Sequence, residues 1–317
     1  MKGATWLGLV IAVPFNAFDA GAQPWPARQI EMIIPYAAGG GVDIIGRSVA
    51  AAMSGHLGQS IAVVNRDGAG GTLGFNALAA APPDGYTLGA GPTTPISSSP
   101  FLVKGVRYGV ESFEYICQVF ENVFAIAVGP DSKFRTAADL LAAAAANPGR
   151  LSYGHAGFGS VPHLSAENLA DALKLKFQGV PFRGDTPMLQ VLLKGDLDFA
   201  VSGLSSLRGR NLRILAIFAD ERHPSLPEVP IAKELGVASS VPPGFNGVYA
   251  PKGLPADVRE ALESSCAKAV ESDAVRRTIA DSGQSVRYVT GAQFHARTAA
   301  DYAFKGELLR RLGLDSR

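Results

Sequence analysis

Ile30-Glu31-Met32-Ile33-Ile34-Pro35-Tyr36-Ala37-Ala38-Gly39-Gly40-Gly41-Val42-Asp43 is the stretch on which the reading of this chain turns. An apolar run ends at a proline, three glycines follow, and an alanine-rich amphipathic segment continues from Ile44 to Leu57. That pattern predicts strand, glycine loop and helix in succession. The first turn of a helix leaves backbone N–H groups without intrahelical partners, and glycine lets a ligand approach them. Such an end holds an anion without any positive side chain. The spacing is neither G-x-G-x-x-G nor G-x-x-x-x-G-K-[ST], and no lysine follows the glycines, so a nucleotide is disfavoured. A small carboxylate fits better.

Outward from this loop, composition sets the frame. With 317 residues the chain is long enough for two domains, each with its own core. Hydrophobic residues at 47% and charged residues at 18% place it among globular rather than disordered chains. A net charge of +1 with scattered signs leaves no basic stripe for nucleic acid. No run of about 18 apolar residues is present to span a bilayer. The beginning carries a targeting pattern: Lys2, the apolar Trp6–Pro14, and Ala20-Gly21-Ala22 before Gln23. Export to the periplasm is therefore expected, with residues 1–22 removed near Ala22. Cys117 and Cys266 lie far apart in sequence and are expected as buried free thiols, with a disulfide as the alternative.

Strand-like and helix-like segments alternate along the rest. Strands are expected at Ile30–Ile34, Ile61–Val64, Thr87–Ala90, Phe124–Val128, Leu151–Gly154, Phe199–Val201, Ile214–Phe218 and Gly247–Ala250. Helices are expected at Asp43–Leu57, Thr72–Ala81, Thr136–Ala146, Val161–Leu173, Thr186–Lys194, Ala256–Glu271, Ala274–Ser282 and Gly291–Leu312. This is an α/β pattern, and short connections predict mostly parallel sheets flanked by helices. Ligands of such sheets sit where strands run into helices. A second glycine loop, Gly157-Phe158-Gly159-Ser160-Val161-Pro162-His163, occupies such a place, with Pro162 suited to a first helical turn. The third, Asp67-Gly68-Ala69-Gly70-Gly71, reads equally as a tight turn or as a site.

These residues in this order resemble the Bordetella uptake gene (Bug) family, the periplasmic solute-binding proteins of tripartite tricarboxylate transporters. The resemblance runs from Trp25-Pro26 to Leu314. It rests on P-x-x-G-G-G-x-D at Pro35–Asp43, N-R-x-G-A-G-G at Asn65–Gly71, and P-D-G-Y-T-L at Pro83–Leu88. It continues with N-P-G at Asn147–Gly149, the G-x-G-S loop at Gly157–Leu164, V-P-[YF]-[KR]-G at Val180–Gly184, and L-P-[ED]-V-P at Leu226–Pro230. Each motif alone is weak; the ordered set is specific.

The resemblance implies a two-lobed, type II-like periplasmic binding protein fold that closes on its ligand. Crossings are expected near Phe124–Gly129 and Phe245–Ala250. Residues 23–124 and 247–317 would form the first lobe and 125–246 the second. It also implies a small organic carboxylate held by backbone N–H groups and waters, and integral-membrane transporter subunits as partners; the five histidines show no H-x-x-x-H and the cysteines no C-x-x-C, so no metal or cofactor is expected. A monomer is expected. Presentation of the closed form to a signalling sensor is the alternative role. Two departures stand out. Relatives commonly read G-N-G-S-[ST]-T-H-L where this chain has Phe158, Val161 and Pro162, losing an amide and two hydroxyls. Ser202-Gly203-Leu204-Ser205-Ser206 also leads to Arg213 faster than usual. A buried unpaired carboxylate costs several kcal/mol, so a monocarboxylate with an apolar body, or a dicarboxylate with its second charge near Arg183 or solvent, is expected over citrate.

The candidate ligand set is Tyr36, Ala38, Gly39, Gly40, Gly41, Val42 and Asp43 from the first loop, then Thr93. Gly157, Phe158, Gly159, Ser160, Val161 and His163 come from the second loop, followed by Arg183, Ser202 and Phe245. Several have plainer readings. Asp43 is expected to cap its own helix, His163 to pack, and Arg183 either to pair with a second carboxylate or to stay solvated. Tyr36, Phe158 and Phe245 are apolar walls or ordinary core. Ser160 and His163 suggest a nucleophile and base, but no G-x-S-x-G elbow surrounds Ser160. A hydrolase is thus the lesser alternative, and the chain is not expected to be an enzyme.

Overall fold

The computed structural model describes residues 24–182, 184–219, 221–238 and 241–315. The expected signal segment 1–22 and Arg183 lie outside the described residues. In chain order come β1 (Ile30–Ile34), α1 (Gly41–Leu57), β2 (Ile61–Asn65), α2 (Thr72–Ala79), β3 (Thr87–Pro92), α3 (Thr94–Ser97) and α4 (Ser99–Leu102). The middle of the chain forms β4 (Phe113–Asn122), β5 (Phe124–Val128), α5 (Ala137–Ala146), β6 (Ser152–His155), α6 (Val161–Ala172), β7 (Gln178–Pro181) and α7 (Asp185–Leu193). The remainder is β8 (Phe199–Gly203), α8 (Leu204–Leu207), β9 (Arg213–Phe218), β10 (Gly244–Pro251), α9 (Ala256–Glu271), α10 (Asp273–Asp281), β11 (Ser285–Thr290) and α11 (Gly291–Arg311). Among the described residues no helix is long and apolar enough to cross a membrane.

The strands form two sheets, one in each lobe: a six-stranded sheet ordered β11-β4-β10-β3-β1-β2 and a five-stranded sheet ordered β7-β6-β8-β5-β9. The chain leaves the first at Asn122, enters the second at Phe124, and returns to the first at Gly244. Both sheets are mixed, which corrects the expectation of mostly parallel pairing. β1 pairs parallel with β2 and β3, and β6 with β7 and β8, as strand–helix–strand crossovers dictate. β10 runs antiparallel to β3 and β4, β11 to β4, and β5 to β8 and β9. The antiparallel ladders gather around the strands that carry the chain between sheets, where no helical crossover fixes direction.

Three strands have no counterpart in the sequence reading. β4, ten residues of Phe-Glu-Tyr-Ile-Cys-Gln-Val-Phe-Glu-Asn, is buried along most of its length on both faces, so it lacks the alternation that marks a half-buried strand. β7 and β11 are short or largely polar, and both lie at sheet edges, where such composition discourages further pairing.

Each sheet packs helices on both faces. Ile30, Met32, Ile45, Val49 and Met53 meet Leu262 and Ile279 on one face of the first sheet. Ile33, Phe75, Tyr249 and Phe294 fill the other. In the second lobe Tyr153, Leu164, Phe199 and Leu140 make one core, and Met188, Leu189 and Ala200 the other. α11 belongs to both lobes: Phe294 joins the first, whereas Leu308 and Leu309 join the second. Midway along it, the fully buried Lys305 pairs with Asp301 at 2.7 Å and donates to Ser97 Oγ at 3.0 Å.

Cys117 and Cys266 are disulfide-bonded, with Cα atoms 6.4 Å apart, which corrects the free-thiol expectation. The bond ties β4 to α9 inside the first lobe. Their separation of 149 residues spans the whole second lobe, so spacing along the chain gave no sign that the two cysteines meet.

Candidate functional site

The first glycine loop stands between β1 and α1. Its N-cap, Gly40, has φ −79° and ψ 164° and provides no side-chain cap. Gly39 has φ +81°, a conformation that favours glycine. Residues 37–41 are exposed. A Cβ at Gly39 or Gly41 would meet nothing within 4 Å, and one at Gly40 only the Ala37 carbonyl at 3.7 Å. No side chain of the loop crowds the N-terminal end of α1, whose first-turn N–H groups have no intrahelical partner.

Asp43 holds this loop from beneath. Its buried carboxylate accepts from the Gly39 N–H at 2.9 Å, Arg47 Nε at 3.0 Å and Asn65 Nδ2 at 2.8 Å. It thus caps a backbone donor outside the helix and leaves the first-turn donors free. Burial opposes its charge, but the bonds from Arg47, Gly39 and Asn65 prevail and hold the carboxyl below its usual range. Asn65 Nδ2 also donates to the Tyr36 carbonyl at 2.9 Å, and Arg47 Nη2 donates to Asn65 Oδ1 at 2.8 Å. Sequence reasoning gave neither Arg47 nor Asn65 a role, although Asn65 opens one of the recognised motifs.

The second loop is built differently. Gly157 has φ +121° and Gly159 φ +72°. Ser160 is the N-cap of α6; its Oγ donates to the Gly157 carbonyl at 2.7 Å and accepts from the His163 N–H at 3.4 Å. His163 Nδ1 accepts from the Gly159 N–H at 3.1 Å, and His155 Nδ1 meets the Gly157 carbonyl at 2.8 Å. The rings stack from the exposed Phe158 onto His163 (4.8 Å), His155 (4.4 Å) and Tyr153 (5.5 Å). Burial, and then the neighbouring His155, lower the pKa of His163 to about 4. Burial also lowers His155, against the pull of the Gly157 carbonyl. At neutral pH neither ring brings a cation to the loop. His155 was missed in sequence, where a lone histidine at a strand end gives no signal.

The other candidate residues separate into groups. Val161 and Phe245 lie in cores, and the Arg297 guanidinium covers the Phe245 ring at 4.2 Å. The Tyr36 hydroxyl donates to the Gly70 carbonyl at 3.3 Å. That contact joins the first loop to the third, and Gly71 is needed there because a Cβ would press on Pro95 and on the Tyr36 ring. The third loop is packed at Gly71, while residues 67, 69 and 70 are exposed. Ala38 is exposed and Val42 half-buried. Thr93 and Ser202 are fully buried, and each hydroxyl lacks a hydrogen-bond partner.

The lobes touch on two flanks. On one, Leu102 of α4 packs so closely on Gly159 that a Cβ there would collide with it. On the other, Gln284 Nε2 donates to Ser205 Oγ at 2.9 Å, and Arg208 Nη1 donates to the Ala280 carbonyl at 2.9 Å. Gln284 Oε1 also accepts from the Val123 N–H at the crossing, at 3.0 Å.

Residues 45–314 match the family described as "Tripartite tricarboxylate transporter family receptor". The chain is 35% identical over 256 residues to the "UPF0065 protein in tcbD-tcbE intergenic region" of Pseudomonas sp. (strain P51), covering 78% of this chain and 75% of that one. The solved structure of "R. palustris Rpa4515 with adipate" superposes with a TM-score of 0.83 at 26% identity, covering 92% of this chain and 99% of that one. The "Structure of periplasmic binding protein BugD" superposes with a TM-score of 0.80 at 27% identity and the same coverage.

Proposed function

Because the chain belongs to the receptor family of tripartite tricarboxylate transporters, we propose that it captures a small organic carboxylate between its lobes. The ligand is taken up in the periplasm, after removal of residues 1–22, and passed as a monomeric carrier to membrane-embedded transporter subunits. The observation that carries this reading is the uncapped, glycine-lined N-terminus of α1. Its first-turn donors and helix dipole stabilise a carboxylate with no counter-charge from a side chain. The solved relative named with adipate supports the ligand class.

The finer ligand reading rests on apolar side chains beside the three glycine loops. Phe158, Leu73 and Ile44 are 57%, 55% and 48% exposed. Each sits in or beside the first turn of a helix: Ile44 on α1, Leu73 on α2, and Phe158 before α6. An apolar ligand body gains roughly 25 cal/mol for each Å² it buries against them. Citrate brings extra carboxylates to a second loop whose histidines are neutral. We therefore read the ligand as a monocarboxylate with an apolar or aromatic body. A hydrolytic role is not supported, since the Ser160 hydroxyl donates to the Gly157 carbonyl instead of to an imidazole.

Two titrations test this. Benzoate should bind wild type and resist displacement by citrate; displacement by citrate would overturn the ligand class. Gly40→Asp places a like charge beside the α1 donors at a position whose φ any residue adopts, so the fold should survive while benzoate affinity falls at least a hundredfold. Unchanged affinity in the folded variant would remove the first loop from the site.

A further inference from the structure

Asp185 opens α7 after β7 ends, and Ser202 lies near the end of β8. β7, β6 and β8 are parallel, so these carboxyl ends share one edge of the second sheet. That edge faces the first lobe, because α8, which directly follows β8, and its C-cap Arg208 carry the Ser205–Gln284 and Arg208–Ala280 contacts across to it. One Asp185 oxygen accepts from Ser206 Oγ at 2.5 Å. The other, Oδ1, is buried without a hydrogen-bond partner, as is the Oγ of the fully buried Ser202. Ser202 stands near enough to favour the ionised acid but outside hydrogen-bonding geometry. Burial pushes the carboxyl up, against Ser206, Ser202 and the charge of Arg210. The Arg210 Nε itself is turned to the Ser206 carbonyl at 2.9 Å. An acid short of partners thus lies at the lobe-facing end of the second sheet, on the lobe that does not carry α1.

We propose that Asp185 sets the charge limit of the cleft: it excludes carboxylates whose far end bears a second negative charge and accepts those ending in an apolar group or a hydroxyl. The inference rests on carboxylate capture as described above. A second carboxylate brought beside Asp185 would compete with it for the Ser202 and Ser206 hydroxyls and would meet a like charge while losing its own water. A terminal hydroxyl would instead donate to the acid. Selectivity here comes from a repulsive group as much as from an attractive one.

Three six-carbon acids isolate the effect: hexanoate, 6-hydroxyhexanoate and adipate, titrated calorimetrically into wild type, Asp185→Asn, Asp185→Ser and Gly40→Asp. Wild type should bind the two monocarboxylates at least tenfold tighter than adipate. Asp185→Asn should raise adipate affinity tenfold or more and move hexanoate less than threefold, with Asp185→Ser as the check should the amide variant fold poorly. Adipate binding wild type as tightly as hexanoate, or equal shifts for all three acids, would overturn the role of Asp185. The cleft reading survives that result if Gly40→Asp still abolishes binding of every acid. Failure of all three acids to bind wild type would overturn both.

Discussion

Reducing the Cys117–Cys266 bond should cost the protein about a third or more of the stability of an ordinary domain. The bond closes a loop of 149 residues. In the chain-entropy treatment, a loop of that length restricts the unfolded chain by about 17 cal/mol/K, or about 5 kcal/mol at 25 °C. The loop contains the whole second lobe. If that lobe stays folded while the first unfolds, it pins its own ends, Phe124 and Gly244, together and only roughly 30 residues remain free, which lowers the figure to about 3.6 kcal/mol. Spread over a chain of this size, a loss between these two figures corresponds to a melting point lower by about 5–8 °C. Urea unfolding followed by circular dichroism, with and without reductant, measures it directly. The comparison must use reduced wild type as well as Cys117→Ala/Cys266→Ala, because alanine also removes sulfur contacts from a fully buried site. Two titratable thiols in denatured, unreduced protein, or a midpoint unmoved by reductant, would refute the reasoning.

Two further outcomes follow from buried polar groups. Lys305→Ala strands the fully buried Asp301 without its cation and should destabilise the fold by about 3–5 kcal/mol in urea; Lys305→Met with Asp301→Leu should recover most of that. His163, 4% exposed, has its folded pKa depressed to about 4 from 6.5. Its contribution is therefore complete above pH 6.5 and declines as pH falls toward 4, because the unfolded chain takes up the proton first. The loss should reach about 2 kcal/mol by pH 5, read from urea midpoints, and His163→Gln should flatten that part of the pH dependence.

Much of the fold was legible because its signals are local. Each helix predicted from apolar periodicity is present with ends shifted by no more than two residues, α1 and α9 among them. The glycine loops fell at strand-to-helix junctions because glycine and proline punctuate the chain wherever backbone must turn. β4 escaped for the opposite reason: buried on both faces, it shows no alternation to read. The candidate site was legible only as backbone. The glycines at 39–41 announced open donors, whereas the Asp43–Arg47–Asn65 clamp and the Phe158–His163–His155 stack join side chains from elements that no period relates.

The sequence by itself determined which segments are helix, which turns need glycine, and which backbone donors stand free of side chains. Those properties depend on a residue and its near neighbours, so a window of a dozen residues contains them. Only the tertiary structure decided that Cys117 meets Cys266, that α11 serves both lobes, and that Asp185 lies beside Ser202 and Ser206 at the lobe-facing edge. Burial tells a segment which face to hide but not what to hide it against. Partner choice is settled by packing over the whole chain at once, where residues far apart in sequence compete for the same space.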